Sequence, residues 1–341
     1  MSYVLLSSNS GVLENIFSNT LNAIFNFVYN ISPVYSLGIA IILFTILVKV
    51  LLLPLSIKQY TSAKKMKIIQ PEIKIVQDKY KNKKDPESQK QFAAEMQAIY
   101  AKHGSNPFSG CLPALIQIPI ILALFNVLRD AYIYITKLSD IYSSIAAKIM
   151  ALPNYKELFE PLLKTKHLAI KDINTVDNLK NLVSNITSNE WTSLMSRMPE
   201  NISATLPSLL NAKTHIENFF TINLTNAPSY TNVSILIPIL TALTTYLSIK
   251  VTSTANKSKD NSAASDDTAA QIERSMATMI YFIPGLIFIT AFSFPSGLGV
   301  YWMLGNIISI IQQLLFDKYL IVSTKGGVIN ETSSKTSKKR K

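Results

Sequence analysis

Long apolar runs alternate with polar stretches along this chain. The runs fall at residues 34–57, 111–135, 233–250, 276–294 and 296–322. A helix needs ~20 residues to cross a hydrocarbon core of ~30 Å, and each run is about that long. Five spans are predicted, the fourth and fifth meeting at "SFPSG". Five such runs exceed what one soluble core needs.

The polar stretches have patterns of their own. Over residues 13–30, Leu13, Ile16, Phe17, Leu21, Ile24, Phe25 and Val28 recur at helical spacing, with Asn15, Asn19, Asn22 and Asn26 mostly opposite. That pattern predicts an amphipathic helix on the outer membrane surface, within an extracellular N-terminal segment 1–33. Within 58–110, Met66, Ile69, Ile73, Val76 and Tyr80 form a heptad seam that "KNKKDPES" interrupts. Asp85 suits a helix N-cap and Pro86 the first helical position. Phe92, Met96, Ile99 and His103 repeat the seam, so a helical hairpin is predicted. Residues 136–232 are rich in Asn, Ser and Thr and mixed helical in pattern, with no recognisable site. Residues 251–275 read as a flexible low-complexity loop, and 323–341 as a disordered basic tail. The predicted fold class is an all-α polytopic membrane protein with a helical hairpin.

Charge then gives direction. The 341 residues carry 33 Lys+Arg against 21 Asp+Glu, a net +12. Residues 1–48 hold no Lys or Arg, whereas 58–110 hold eleven Lys and 318–341 seven basic residues. Positive loops stay inside. The N-terminus is therefore expected outside, with the hairpin, the 251–275 loop and the tail in the cytoplasm and 136–232 outside. Nine basic residues in that outer segment do not oppose this, because long loops translocate largely regardless of charge. "MSYVLLSSNSGVLENIF" has no basic leader region, so no cleavable signal peptide is expected. The sole cysteine, Cys111, excludes an internal disulfide, a cysteine metal cluster and a lipobox.

One charge sits inside a span. In "IAIILFTILVKVLLLPLSIK", Lys49 lies eight residues before the run ends, ~12 Å along a helix. A Lys side chain covers about half of that, and a Lys near a helix centre costs ~2.5–3.5 kcal/mol. Snorkelling is the bland reading; a wet cavity is the functional one. Thr45 precedes Lys49 by one turn. Gln117 lies in the second span, Thr241, Thr244, Thr245 and Ser248 in the third, and Trp302, Gly305, Asn306, Ser309 and Gln312 at 3–4 spacing in the fifth. Singly, such residues bond between helices. Together with Lys49 they outline a hydrophilic groove. No Walker A, HExxH or GxSxG pattern occurs, so neither an enzyme, a metal nor a cofactor is expected.

"LVKVLLLPLSIKQYTSAKKMKIIQPEI", "HGSNPFSGCLPALIQIPIILALF" and "FPSGLGVYWMLGNIISIIQQ" closely resemble the YidC family of membrane protein insertases, over roughly 34–130 and 233–320. The resemblance implies a five-helix core whose groove opens to cytoplasm and lipid and is closed outside. It places the groove's cation at Lys49, its threonine at Thr45, its glutamine at Gln117 and an aromatic pair at Tyr301 and Trp302. The family usually has arginine where this chain has Lys49, and some relatives have serine at Gly305. The resemblance implies insertion of nascent membrane proteins into a bacterial plasma membrane, alone or beside the Sec translocon. It also implies ribosome contact by the tail, through Lys338, Lys339, Arg340 and Lys341 on RNA phosphates. Anionic lipids are the other expected partner of these lysines. The rival reading is a small-anion channel or transporter using Lys49. It lacks the expected inverted repeat with broken helices in both halves. A purely structural assembly factor is a third reading.

Overall fold

The computed structural model describes residues 12–320 except 82, 84, 106–111, 167, 169, 171 and 255–280, and also residues 322–324 and 327–329. The chain is mostly helical. Its helices are α1 Val12–Ile31, α2 Ser36–Leu51, α3 Leu53–Tyr80, α4 Pro86–His103, α5 Leu112–Arg129, α6 Ala131–Tyr134, α7 Thr136–Met150, α8 Tyr155–Lys166, α9 Val176–Ser184, α10 Ser188–Met195, α11 Glu200–Ser203, α12 Leu206–Glu217, α13 Leu236–Thr254, α14 Tyr281–Ser293 and α15 Ser296–Tyr319. Two antiparallel ladders complete it: β1 Asn218–Phe219 with β2 Ile222–Asn223, and β3 Val322–Thr324 with β4 Gly327–Ile329.

Among the described residues, Val233–Thr252 and Ser296–Tyr319 are long and apolar enough to cross a membrane. Ser36–Leu51 and Leu53–Met66 together make a third such element, bent by 56°. The bend has a local cause. Pro54 has no N–H to give and its ring crowds the carbonyl four residues earlier, so the helix restarts at Leu53 with proline in its first turn. The predicted span 34–57 is therefore broken near Leu52, and the hairpin's first arm begins at Leu53 rather than 58. Ile116–Arg129 and Tyr281–Ser293 are shorter apolar helices. The second run, read to 135, stops as a helix at Arg129 and restarts as α6.

The chain divides into two compact units. The first gathers Met1–Thr45, Pro119–Ile239 and Ile289–Trp302. Its largest core lies in the 136–232 segment. On α7, Leu138, Tyr142, Ile145, Ala146 and Ile149 form a buried 3–4 stripe, which meets α9 and α12. Thr187 and Glu190 close a capping box at the start of α10. The periodicity of α1 predicts a face laid on lipid. In the structure Leu21 and Phe25 are fully covered by protein, and the Phe17 ring meets Phe44 edge-on at 6.0 Å. Among the described side chains of α1, Ile16, Phe27 and Ile31 are the large apolar ones left exposed.

The second unit gathers Ile46–Ile118, Leu240–Phe288 and Met303–Lys341. In it α3 and α4 pack as a hairpin around Ile69, Ile73 and Ile99, flanked by Met66, Val76, Met96 and Tyr100. Asp85 caps α4, accepting from the Ser88 N–H at 2.8 Å. Gly104 ends α4 at φ +57°. Its N–H reaches the Ala101 carbonyl while that of Ser105 reaches Tyr100, a Schellman closure. Paired β3 and β4 replace part of the tail predicted to be disordered. Most of the 251–275 loop, Cys111 and the tail's Lys338–Lys341 lie outside the described residues.

Candidate functional site

The site is built in the second unit from α2, α13 and α15. Lys49 stands in the last turn of α2 and is half-buried. Its Nζ donates to Ser309 Oγ at 2.8 Å. Ser309 Oγ in turn donates to the Gly305 carbonyl at 2.8 Å. The helix thus takes the hydroxyl's hydrogen and leaves its lone pairs to the amine. Gly305 makes the approach open: a Cβ there would stand 3.3 Å from Lys49 Cε and 3.8 Å from Nζ. Beside it, Asn306 Nδ2 donates to Thr245 Oγ1 at 2.8 Å and to Thr244 Oγ1 at 3.3 Å. Those hydroxyls donate back to carbonyls of their own helix, at Leu240 and Thr241. The Lys49 amine, the Asn306 amide nitrogen and the hydroxyls of Thr244, Thr245 and Ser309 thus each have a partner, as apolar surroundings favour.

Ser309 also borders a polar cleft of about 240 Å³, lined by Gln59, Ser248, Thr252 and Gln312 among others. At its edge Asp317 Oδ1 accepts from Tyr60 Oη at 2.8 Å and pairs with Lys64 Nζ at 2.7 Å. A neutral hydroxyl therefore holds Lys49, while Lys64 has a carboxylate.

A model of the 60Kd inner membrane protein family matches residues 27–323. The chain belongs to this family. A membrane protein insertase YidC from Oceanobacillus iheyensis is 27% identical over 325 residues, covering 92% of this chain and 91% of the relative. A membrane protein insertase YidC 1 from Streptococcus pyogenes is 26% identical over 307 residues, covering 90% and 76%. A shorter match to a membrane protein insertase YidC from Enterococcus faecalis reaches 47% identity over 91 residues, 27% of this chain and 33% of the relative.

In this chain Lys49, Gly305 and Ser309 come together, and Thr244 joins through Asn306, the neighbour of Gly305. Gln117 is partly exposed on α5 in the same unit. Thr45, Tyr301 and Trp302 belong to the first unit. Thr45 is fully buried and its hydroxyl donates to the Ile41 carbonyl at 2.6 Å. Tyr301 is buried with its ring 6.4 Å from Phe44. Sequence reasoning passes over Asp317 and Lys64. The signal was present as a lone acid in the apolar run 296–322, but its partner stands about 250 residues earlier.

Proposed function

We propose that this chain inserts nascent membrane proteins into the bacterial plasma membrane, alone or beside the Sec translocon. The observation that carries the reading is the Lys49 amine held by Ser309 beside a polar cleft. A Lys deep in a span costs ~2.5–3.5 kcal/mol. One hydrogen bond from the ammonium to a neutral hydroxyl returns ~1.5–3 kcal/mol and brings no opposite charge. The site keeps an unneutralised charge, which an acidic segment of an entering protein would satisfy. The cleft would shorten that segment's path through lipid, and burial of the substrate's apolar helix would drive the step without a nucleotide.

In this reading five spans form the membrane body: the bent α2–α3 element, α5, α13, α14 and α15. The N-terminus lies outside and the hairpin and tail face the cytoplasm. Thr45, Gln117, Tyr301 and Trp302 complete the groove. The hairpin receives the substrate. Lys338, Lys339, Arg340 and Lys341 hold ribosomal RNA phosphates in a salt-dependent contact, and the same lysines favour anionic lipid. An anion channel would need a passage open at both ends. Against that, Gly297 at the start of α15 has no room for a methyl, with Ile41 Cδ1 and the Leu224 carbonyl 3.0 Å from where its Cβ would stand.

The test is insertion of a single-span reporter with an acidic N-terminal segment into proteoliposomes holding this protein alone. Native chain is compared with Lys49→Ala, Lys49→Glu and Lys49→Arg. Insertion is expected to fall for Ala and Glu and to survive for Arg. Equal insertion by all four would remove Lys49 from the mechanism.

A further inference from the structure

The 136–232 segment is long, and the proposed function gives it no task. Its last part, residues 215–226, grips the starts of α2 and α15 within the first unit. On one side is α2. The Tyr35 N–H, just before α2, donates to the His215 carbonyl at 2.9 Å. Gly38 then opens a notch in the first turns of α2. A Cβ there would stand 2.3 Å from Phe219 Cδ2 and 3.0 Å from Phe219 Cβ, so the ring fills the space that any other residue would occupy. On the other side is α15. Its first N–H groups have no partner within the helix. The Ser296 N–H donates to the Asn226 carbonyl and that of Gly297 to the Leu224 carbonyl, both at 2.8 Å. A Cβ on Gly297 would meet the Leu224 carbonyl and Ile41 Cδ1 at 3.0 Å and Leu128 Cδ1 at 3.1 Å. So α2, α5 and α15 close on one another here, under the β1–β2 turn.

Two further features show that this contact is held firmly. Among the described residues, the non-glycine residues at positive φ are Tyr35, at 62°, and Phe220, at 55°. Bulky residues seldom adopt that conformation, and it persists only where the surroundings over-determine it. These two strained residues lie against each other, with ring centroids 5.3 Å apart, and Phe219 packs edge-on to both. The base of the turn is also pinned. The Leu224 N–H donates to the Glu217 carbonyl at 2.9 Å, and the Asn223 side chain accepts from the Thr225 and Asn226 N–H groups.

We infer that residues 215–226 are a clip, with Phe219 seated in the Gly38 notch, that holds the Ser36 end of α2 to the Ser296 end of α15 and seals that end against ions while the chain works. Phe219 is a positioning residue and touches no substrate. That the seal holds during insertion rests on the proposed insertase role; the seal itself stands on the contacts.

Proteoliposomes of the full chain test it with two readouts: dissipation of a potassium diffusion potential, and insertion of the single-span reporter. Phe219→Ala and Gly38→Ala are each expected to speed ion leak by at least ~10-fold, the ratio that ~1.4 kcal/mol of lost closed-state packing produces. Gly38→Ala with Phe219→Ala should leak no more than Phe219→Ala alone, because the methyl then has the ring's space. A second probe is Gly38→Cys with Phe219→Cys in a Cys111→Ser background. Oxidised, it should be as tight as native chain and should insert the reporter as fast as its reduced form. Native-like tightness of both single variants would overturn the seal. A disulfide that stops insertion would overturn its staying closed during work. If native chain inserts nothing, the proposed function fails, and the leak comparison still decides the clip.

Discussion

Glu217 offers the sharpest energetic test, because its surroundings are complete. It is 1% exposed at the C-terminal end of α12. Its carboxylate accepts from Tyr142 Oη at 2.6 Å and Asn223 Nδ2 at 2.9 Å, and pairs with Lys213 Nζ at 3.0 Å. Burial, and then the Glu217 charge, push the Tyr142 phenol well above its ordinary 10, so it stays a donor at any working pH. Lys213 is itself buried. Truncating Glu217 therefore strands a buried cation and a buried hydroxyl, and removing one member of a buried pair costs ~3–5 kcal/mol. The first unit is within the size range in which 1 kcal/mol moves a midpoint by ~2–4 °C, so Glu217→Ala should lower it by about 6–20 °C. The assay is thermal unfolding of the purified full chain in detergent, followed by tryptophan fluorescence. Trp191 is buried in this segment and reports on it. Adding Lys213→Met should recover part of the loss, because it removes the stranded cation while the Tyr142 hydroxyl still lacks its acceptor. A shift below about 2 °C, or a double variant worse than the single, would refute the reasoning.

Further outcomes are expected in the second unit. Ser309→Ala should fold normally and lower reporter insertion by ~12- to 160-fold, the range for losing one hydrogen bond to a charged group of ~1.5–3 kcal/mol; unchanged insertion would detach Ser309 from Lys49's work. In the hairpin, hydrogen bonds from Lys102 and then His103 hold the Glu72 carboxyl below its ordinary 4.5, and Lys79 and Tyr80 do the same for Glu95. A depressed carboxyl stabilises the fold above its unfolded value and loses that contribution as pH falls through its folded one. Amide protection of α3 and α4 in the full chain, taken relative to the intrinsic exchange rate at each pH, should thus be constant at neutral pH and fall below 4.5, more weakly in Glu72→Gln; protection that does not change with pH would contradict this. Ile69→Ala, at a fully buried position between the arms, should speed exchange across both helices by a loss of ~2–5 kcal/mol.

How much of this was legible depended on whether a pattern is local. The hairpin seam was readable because Met66, Ile69, Ile73 and Val76 repeat every three or four residues, and Met96 and Ile99 answer them; the core contains those residues. The cap at Asp85 and Pro86 was readable from two neighbours. Periodicity also marked α1 as a helix with a face to cover. It could not say that protein covers Leu21 and Phe25, because spacing identifies a buried face and not its partner. The break at Leu52 hid inside an apolar run, since hydropathy does not register a missing N–H. Tyr142 and Glu217, 75 residues apart, carry no periodic signal. Neither does Phe219 over Gly38, which depends on backbone approach.

The lysine at position 49, where the resembling family usually has arginine, is accounted for by its neighbours. An arginine presents a planar fork with five donors and is suited to two-point contact. Here, among the described residues, the cation meets one acceptor, Ser309 Oγ, and its stem lies against Gly305, where a Cβ would stand 3.3 Å from Lys49 Cε. A compact ammonium fits that arrangement with one donor engaged and two left to turn toward the cleft. Serine at 305 would place a Cβ 3.3 Å from Lys49 Cε and 3.8 Å from its Nζ. Lysine with glycine, and a larger side chain with a different cation, are thus alternative fillings of one small volume. The identity of the charge and the residue one helical turn before Ser309 should be read as a pair.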